Sequence, residues 1–450
     1  MMTTKKHLKL ALAVCFCFAA LLQAAVINVA ELGLAPDGKN DFAGILEKVM
    51  ETIQPGDAIY FPAGKYYFTR DLVITGKDLT VHGEGTLIFE HKDDDPAYLD
   101  NRKIKITGSQ VVVSDLKVTS TAASRSGVYG LVSCFEAENV RIRNLEISNS
   151  TSTAIYTISS KQLWIEGNYV HDQWADGIHI SRGSEQVVIS NNIIDHNGDD
   201  GIGIVSYHGP EVYNQYPRNN QIVVSGNVIR RTPARGICAS GGNITIIGNQ
   251  ISETGKAGII CTREGWISGY TVISGNTIHD VGTAQLYGYT FYDNRGTRSG
   301  IHVQYNRDML IQGNVIYNAA NGCGITIASS PEITVTDNMI SNCAGGISAD
   351  IPEALLTEGF NPDLLKEMYG DKDYLPAAGI PGCDYMTITN NTLRRCGNAP
   401  VIRVSGLAER PNAVVNVKDN ILDPALKDAQ DAAVKESSDF LTAAALKAVE

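Results

Sequence analysis

The chain has 450 residues, 37 Lys and Arg against 49 Asp and Glu, and a formal net charge of −12. That balance speaks against nucleic acid and anionic membrane as partners, although a local cluster of arginines could still hold an acidic polysaccharide. A length that would often mean two or three domains does not require a split if the chain is built from stacked repeats.

Residues 1–25 read as a cleavable export signal. Lys5, Lys6 and Lys9 precede an apolar stretch from Leu10 to Leu22, and the small residues Ala24 and Ala25 follow. The stretch is too short for a membrane span. No other segment suits a bilayer, so the expectation is a secreted or periplasmic protein without a membrane span. Residues 26–60 read as strand, helix, strand. Asn40 or Asp41 can cap a helix whose apolar positions Phe42, Ile45, Leu46 and Val49 share one face. Such a helix would cover the open end of a stack of strands, which is otherwise an exposed edge.

From about residue 64 a phrase recurs roughly every two dozen residues: apolar-x-apolar-x-x-Asn-x-Ile, a polar turn, then x-Gly-Ile-x-Ile. It is plain in LWIEGNYVHDQWADGIHI at 163–180 and VVISNNIIDHNGDDGIGI at 187–204. Each unit holds three short alternating runs rich in Val, Ile and Thr, with Gly or Asn at the bends, which is strand chemistry. A unit this small cannot bury its own apolar face, so successive units must stack. The fold expected is all-β, a right-handed parallel β-helix with three strands per coil, spanning 26–423. Residues 424–450 are expected to be a helical cap or tail. The recurring asparagines Asn144, Asn168, Asn192, Asn227, Asn249, Asn276, Asn314, Asn338, Asn391 and Asn420 are expected to tolerate a left-handed backbone and form a ladder.

Insertions at 206–219, 262–270, 282–298 and about 350–384 interrupt the repeat, and loops on a rigid scaffold are where function concentrates. The first three carry aromatics, among them Trp266 and Tyr289, whose faces suit sugar rings. Past the signal there are seven cysteines, an odd number with no CxxC pair, so buried thiols are expected; Cys383 with Cys396 is one conceivable bridge.

The x-Gly-Ile strands carry the chemistry. The residue before glycine runs Thr153, Asp176, Asp200, Arg235, Ala257, Ser299. Parallel strands lie about 4.8 Å apart, so Asp176, Asp200 and Arg235 should form one row, with Asp199 beside it and His179 along the strand. Gly203 should leave room there for a ligand. Stacked like charges split their pKa values, leaving one acid and one base, as glycoside hydrolysis requires. Bound Ca²⁺ and ordinary Asp-Gly turns are the competing readings. His179 and His302 share a register and are expected in one groove.

WADGIHI followed one coil later by NGDDGIGI resembles the polygalacturonase-type glycoside hydrolases of the pectin-lyase-like superfamily, a likeness extending over most of 26–420. The resemblance implies Asp199 as general acid, with Asp176 and Asp200 activating an inverting water, and no cofactor. The chain departs from the family pattern in several places. Ala175 replaces a threonine, His179 an aspartate, and Ala-Arg-Gly at 234–236 stands where Gly-His-Gly is usual. His208 could reach back to the site from its loop. No Arg-x-Lys is present, leaving Arg235, Arg263 and Arg298 to bind substrate. A divergent relative acting on another polysaccharide or oligosaccharide, uronate-containing or sulfated ones included, fits this pattern. The alternatives are a lyase or uronate epimerase, with Arg235 as base and Ca²⁺ at Asp176, Asp199 and Asp200, or a non-catalytic carbohydrate-binding solenoid.

Overall fold

The three apolar runs of each repeat become three strands of one coil. The computed structural model of the protein describes residues 24–91, 102–206, 217–262, 269–283, 298–304, 306–328, 330–350, 383, 385–397, 401–404 and 414–436. Their strands form three all-parallel sheets of 14, 14 and 12 strands, each strand pairing with its counterpart one coil away. In one coil Lys161–Glu166 lies in the first sheet, Tyr169–His171 in the second and Ile178–Ser181 in the third. Right-handed crossover is the sense that parallel strands favour, and the architecture is the expected right-handed parallel β-helix.

Period-two alternation sends every second side chain into the barrel. Ile165, Ile189, Val224, Ile246 and Ile273 stack in register in the first sheet, all fully buried. Burying such a side chain contributes about 1.5–3 kcal/mol, repeated in every coil and sheet. That repetition gives a solenoid its core.

The asparagine ladder runs continuously from Asn168 to Asn420. Each amide donates to the next, as in Asn192 Nδ2 to Asn227 Oδ1 at 2.9 Å, and also to a carbonyl of the preceding coil, here Ile165. Each Oδ1 also accepts a main-chain N–H, here that of Asn192 at 3.0 Å. Two details differ from expectation. Asn144 is not a rung: Leu145 fills the ladder position in its coil, and its N–H donates to Asn168. The left-handed residue is the one before each rung: Asn144, Gly167, Asn191, Gly226 and Gly248 have φ of 53–66°. The bend and the ladder are adjacent columns with separate tasks.

The N-terminal helix Ala43–Thr52 follows a strand at Asp37–Asp41. Asp41 accepts the Ala43 N–H at 3.0 Å and the Thr69 hydroxyl at 2.6 Å, so it caps the helix and ties it to the first coil. Phe42 and Leu46 are fully buried, with Ile45 and Val49 packed alongside. At the other end, the helix Pro424–Glu436 places Gln430 over the last strand of the third sheet. Its amide accepts from Ile402 N–H at 3.1 Å and donates to Ile402 C=O at 2.9 Å, satisfying that edge. Cys383 and Cys396 are not bridged to each other; their thiols lie against different carbonyls, those of Ile327 and Ile340. Burial pushes Cys134, Cys261 and Cys343 up to about 12. Among the described residues, no helix is long and apolar enough to cross a membrane.

Candidate active site

The x-Gly-Ile motif is a steric requirement of the bend that leads into the third sheet. A Cβ on Gly201 would stand 2.4 Å from Ile229 Cγ2 and 2.6 Å from the Gly236 carbonyl of the next coil. Glycine therefore lets bends nest one on another. Main-chain bonds lock the register, Gly177 N–H to Asp200 C=O at 3.0 Å and Gly201 N–H to Arg235 C=O at 2.9 Å. Asp176, Asp200 and Arg235 consequently stack on three successive coils, with Asp199 beside them.

Each oxygen of the Asp176 carboxylate has a donor. One oxygen accepts the Asp200 N–H at 3.1 Å and the other meets His179 Nδ1 at 2.6 Å. The His179 ring lies parallel on Tyr156, centroids 4.7 Å apart. Burial opposes the charge on Asp176, but the His179 bond and charge, the Asp200 amide and Arg235 outweigh it and hold its pKa below the ordinary value. Gly203 has a role other than the expected one. A Cβ there would fall 3.0 Å from Asp176 Oδ2 and 3.1 Å from His179 Nδ1, so its bareness accommodates the Asp–His pair rather than a ligand.

Asp200 accepts both the main-chain N–H and the Nε of Arg235, at 2.9 and 2.8 Å, while its second oxygen meets the same guanidinium at 2.7 Å. Burial nevertheless pushes its pKa up to about 7; Arg235 opposes that rise, and Asp199 and Asp176 add to it. Asp199 is the most accessible of the three, its side chain 19% exposed, and one of its oxygens meets Arg125 at 3.0 Å. Burial and the charge of Asp176 raise its pKa against the pull of Arg125 and Arg235. One carboxylate is thus held ionised while two beside it hold protons more strongly than usual.

Oxygens of the three carboxyl groups lie within 4.8 Å of one another, and this is the one such acidic cluster among the described residues. Adjacent coils are themselves about 4.8 Å apart, which brings these groups together. The cluster forms the floor of an open cavity of about 230 Å³, walled by Arg125, Ser152, Thr153, Tyr156 and His179.

Arg125 is the site residue the repeat pattern missed. It lies in the bend between Lys117–Ser120 and Val132–Phe135, held there by Ser126, whose N–H donates to Thr151 C=O at 2.9 Å and whose hydroxyl meets His91 Nε2 at 2.8 Å. The available signal was an unusually long polar bend, TAASRSGVYG, carrying one cation. His302 and Arg298 are not at this site. His302 shares the His179 column but stands four coils away, roughly 19 Å at the strand spacing. It is buried, not groove-facing, and burial takes its pKa down to about 4, leaving a neutral ring. Arg298 is in the bend of that same distant coil, just before the strand Ile301–Gln304. His208, Arg263, Trp266 and Tyr289 lie outside the described residues, as do most of the insertions that carry them.

These features define a parallel β-helix with a carboxylate cluster on one sheet. The chain belongs to the right-handed β-helix family, whose model, described as "Right handed beta helix region", matches residues 102–278 and 218–354. No curated protein matches it. Among solved structures it is similar to the A-module of the Azotobacter vinelandii mannuronan C-5 epimerase AlgE6. The identity is 16% over 88% of this chain and 99% of that one, with a TM-score of 0.64. It is also similar to the catalytic domain of a GH87 α-1,3-glucanase, seen in two variants with alanine at one or the other of two consecutive aspartates. One is in complex with tetrasaccharides and the other with nigerose. Identities are 17% and 18%, over 86% of this chain and 68% of that one, with TM-scores of 0.62 and 0.60. A third similar structure is PfbA, a surface adhesin of Streptococcus pneumoniae, at 14% identity over 73% of this chain and 93% of that one, TM-score 0.51. At these identities the likeness is one of fold.

Proposed function

We propose that this chain is a secreted or periplasmic enzyme that hydrolyses glycosidic bonds in a polysaccharide, with Asp176, Asp199 and Asp200 as its catalytic groups. The observation that carries the proposal is the cluster of three carboxyl groups facing a cavity, with the pKa of Asp176 held below the ordinary value and those of Asp199 and Asp200 raised. Glycosidic cleavage needs such an acid–base pair. Asp199 suits the acid, because it is the carboxyl most open to the cavity and Arg125 engages only one of its oxygens. Asp176 and Asp200 suit the task of holding water. Two carboxylate oxygens within 4.8 Å can be bridged by one water making hydrogen bonds of about 2.7 Å to each. The α-1,3-glucanase variants with alanine at either of two consecutive aspartates lend support, since Asp199-Asp200 is such a pair facing a cavity.

Inversion is the proposed outcome, with His179, Arg125 and Arg235 orienting the cluster rather than reacting. The lyase or epimerase reading, supported by the fold of the mannuronan epimerase module, asks Arg235 to act as base. Its guanidinium is committed to Asp200 by two contacts, and arginine stays protonated in proteins. Ca²⁺ fits the cluster poorly as well. Arg125 and Arg235 already pair with two of the three carboxyl groups, and their positive charges oppose a divalent cation beside them.

The test is a panel of neutral, uronate-containing and sulfated polysaccharides, reading reducing ends, ultraviolet absorbance and the anomer of fresh product together. Reducing ends of inverted configuration without a chromophore are expected. An unsaturated, absorbing product would replace hydrolysis with elimination. Retained configuration would instead make one aspartate a nucleophile.

A further inference from the structure

A second cavity, of about 540 Å³, opens where the third sheet turns into the first, at the far end of the strands that present the aspartates. Asp176 precedes the strand Ile178–Ser181 and Arg182 follows it. The two cavities are therefore about 20 Å apart along extended chain. Lys161, Arg182 and Arg218 line the second one against a single carboxylate, Glu185. That is a local cationic excess on a chain of net charge −12.

The coils are altered here. One column of the first sheet runs Lys161, Glu185, Asn220, Gly242, Gly269, Arg307. The two glycines open a depression, and Arg218 lies in it, donating to Gly241 C=O at 2.8 Å. A Cβ on Gly242 would meet three guanidinium atoms at 2.7–2.8 Å, so Arg218 can lie there only because the strand starts with glycine. The residue after each member of that column has a left-handed backbone. It is an amide in Gln162, Gln186, Gln221 and Asn243 and a carboxylate in Asp308, but a tyrosine at Tyr270, with φ 54° and 67% of its surface exposed. A bulky aromatic in that conformation is disfavoured where asparagine is tolerated. An exposed aromatic held against preference beside a floor of arginine points to a ligand with an apolar face and an anionic edge.

We propose that this cavity binds an acidic sugar unit of a glycan, stacked on Tyr270 with its anionic group toward Arg182, Arg218 and Lys161. Asn220 and Asn243 supply neutral hydrogen bonds to its hydroxyls. The subsite is non-catalytic and would anchor a chain at the back of the sheet that carries the aspartates. A carboxylate or a sulfate ester would serve equally in the recognition.

The test is affinity electrophoresis of the full chain carrying Asp200→Asn, so that no turnover intrudes and the result does not depend on hydrolysis. The gels contain polygalacturonate, κ-carrageenan or dextran. Retardation by polygalacturonate or carrageenan, but not by dextran, is expected, and whichever acts identifies the anion. Tyr270→Asn, the amide type of its own column, and Lys161→Gln should each weaken that retardation at least fivefold without changing the far-ultraviolet spectrum. Absence of retardation in both anionic gels would overturn the proposal. So would retardation that both variants leave unchanged.

Discussion

Two vertical stacks of polar side chains run through this solenoid at the same coil spacing, and they differ in what each rung can do for the next. An asparagine both donates and accepts, so Asn168 to Asn420 satisfy one another with only main chain added. An aspartate can only accept while ionised. Asp176 and Asp200, one coil apart, therefore take donors from elsewhere: His179, the Asp200 amide, Arg235, and for their neighbour Asp199 the guanidinium of Arg125. What those donors leave uncompensated raises the pKa of Asp199 and takes that of Asp200 to about 7. The ladder is a complete structure; the acidic column is left poised to exchange protons, as a reacting site must be.

The sharpest way to break this comparison is to neutralise each column in turn. Asp176→Asn, Asp199→Asn and Asp200→Asn should each lower turnover of the preferred polysaccharide about 10³-fold, within the usual range for an acid–base group, with thermal midpoints near that of the wild type. Asn227→Ala should do the opposite. It removes the shared acceptor of the Asn192 main-chain and side-chain N–H groups and a donor to the Ile189 carbonyl and should lower stability by about 3 kcal/mol in urea, with turnover per folded molecule unchanged.

A smaller effect concerns pH. Asp200 has its folded pKa raised from 3.8 to about 7. The stability it contributes is therefore complete below 3.8 and lost as pH rises through about 7. Asp176 is shifted downward, so its contribution is present above 3.8 and lost at more acid pH. Urea midpoints should fall from pH 5 to pH 8, and Asp200→Asn should flatten that slope. In activity, the alkaline limb of kcat/KM should lie near pH 7 and belong to the coupled group rather than to one residue. The smallest effect expected is that of Arg125→Gln. Arg125 holds the Asp199 pKa down, so its loss should shift the alkaline limb upward and cost only several-fold in rate, with no change in stability.

The fold was legible because its cause is periodic: alternation, stacking and the recurring asparagine are all local. Asn144 was misplaced because the bend residue and the rung are neighbours of the same type, and only the register of Leu145 separates them. The row of Asp176, Asp200 and Arg235 could be read because glycine fixes the offset at which bends nest. The burial of His302 could not, since a shared column says nothing of what covers it. Arg125 was invisible for a related reason. It enters from a non-repeating bend, and its reach to Asp199 spans 74 residues of sequence.

The most direct measurement is a pH titration of aspartate carboxyl carbons by NMR in protein labelled at that position. One resonance titrating near pH 7, lost in Asp200→Asn, moved to lower pH in Asp199→Asn and kept in Asn227→Ala, is the result expected here. If every aspartate titrated below about pH 5, as ordinary carboxyls do, the acidic column would be as inert as the ladder beside it.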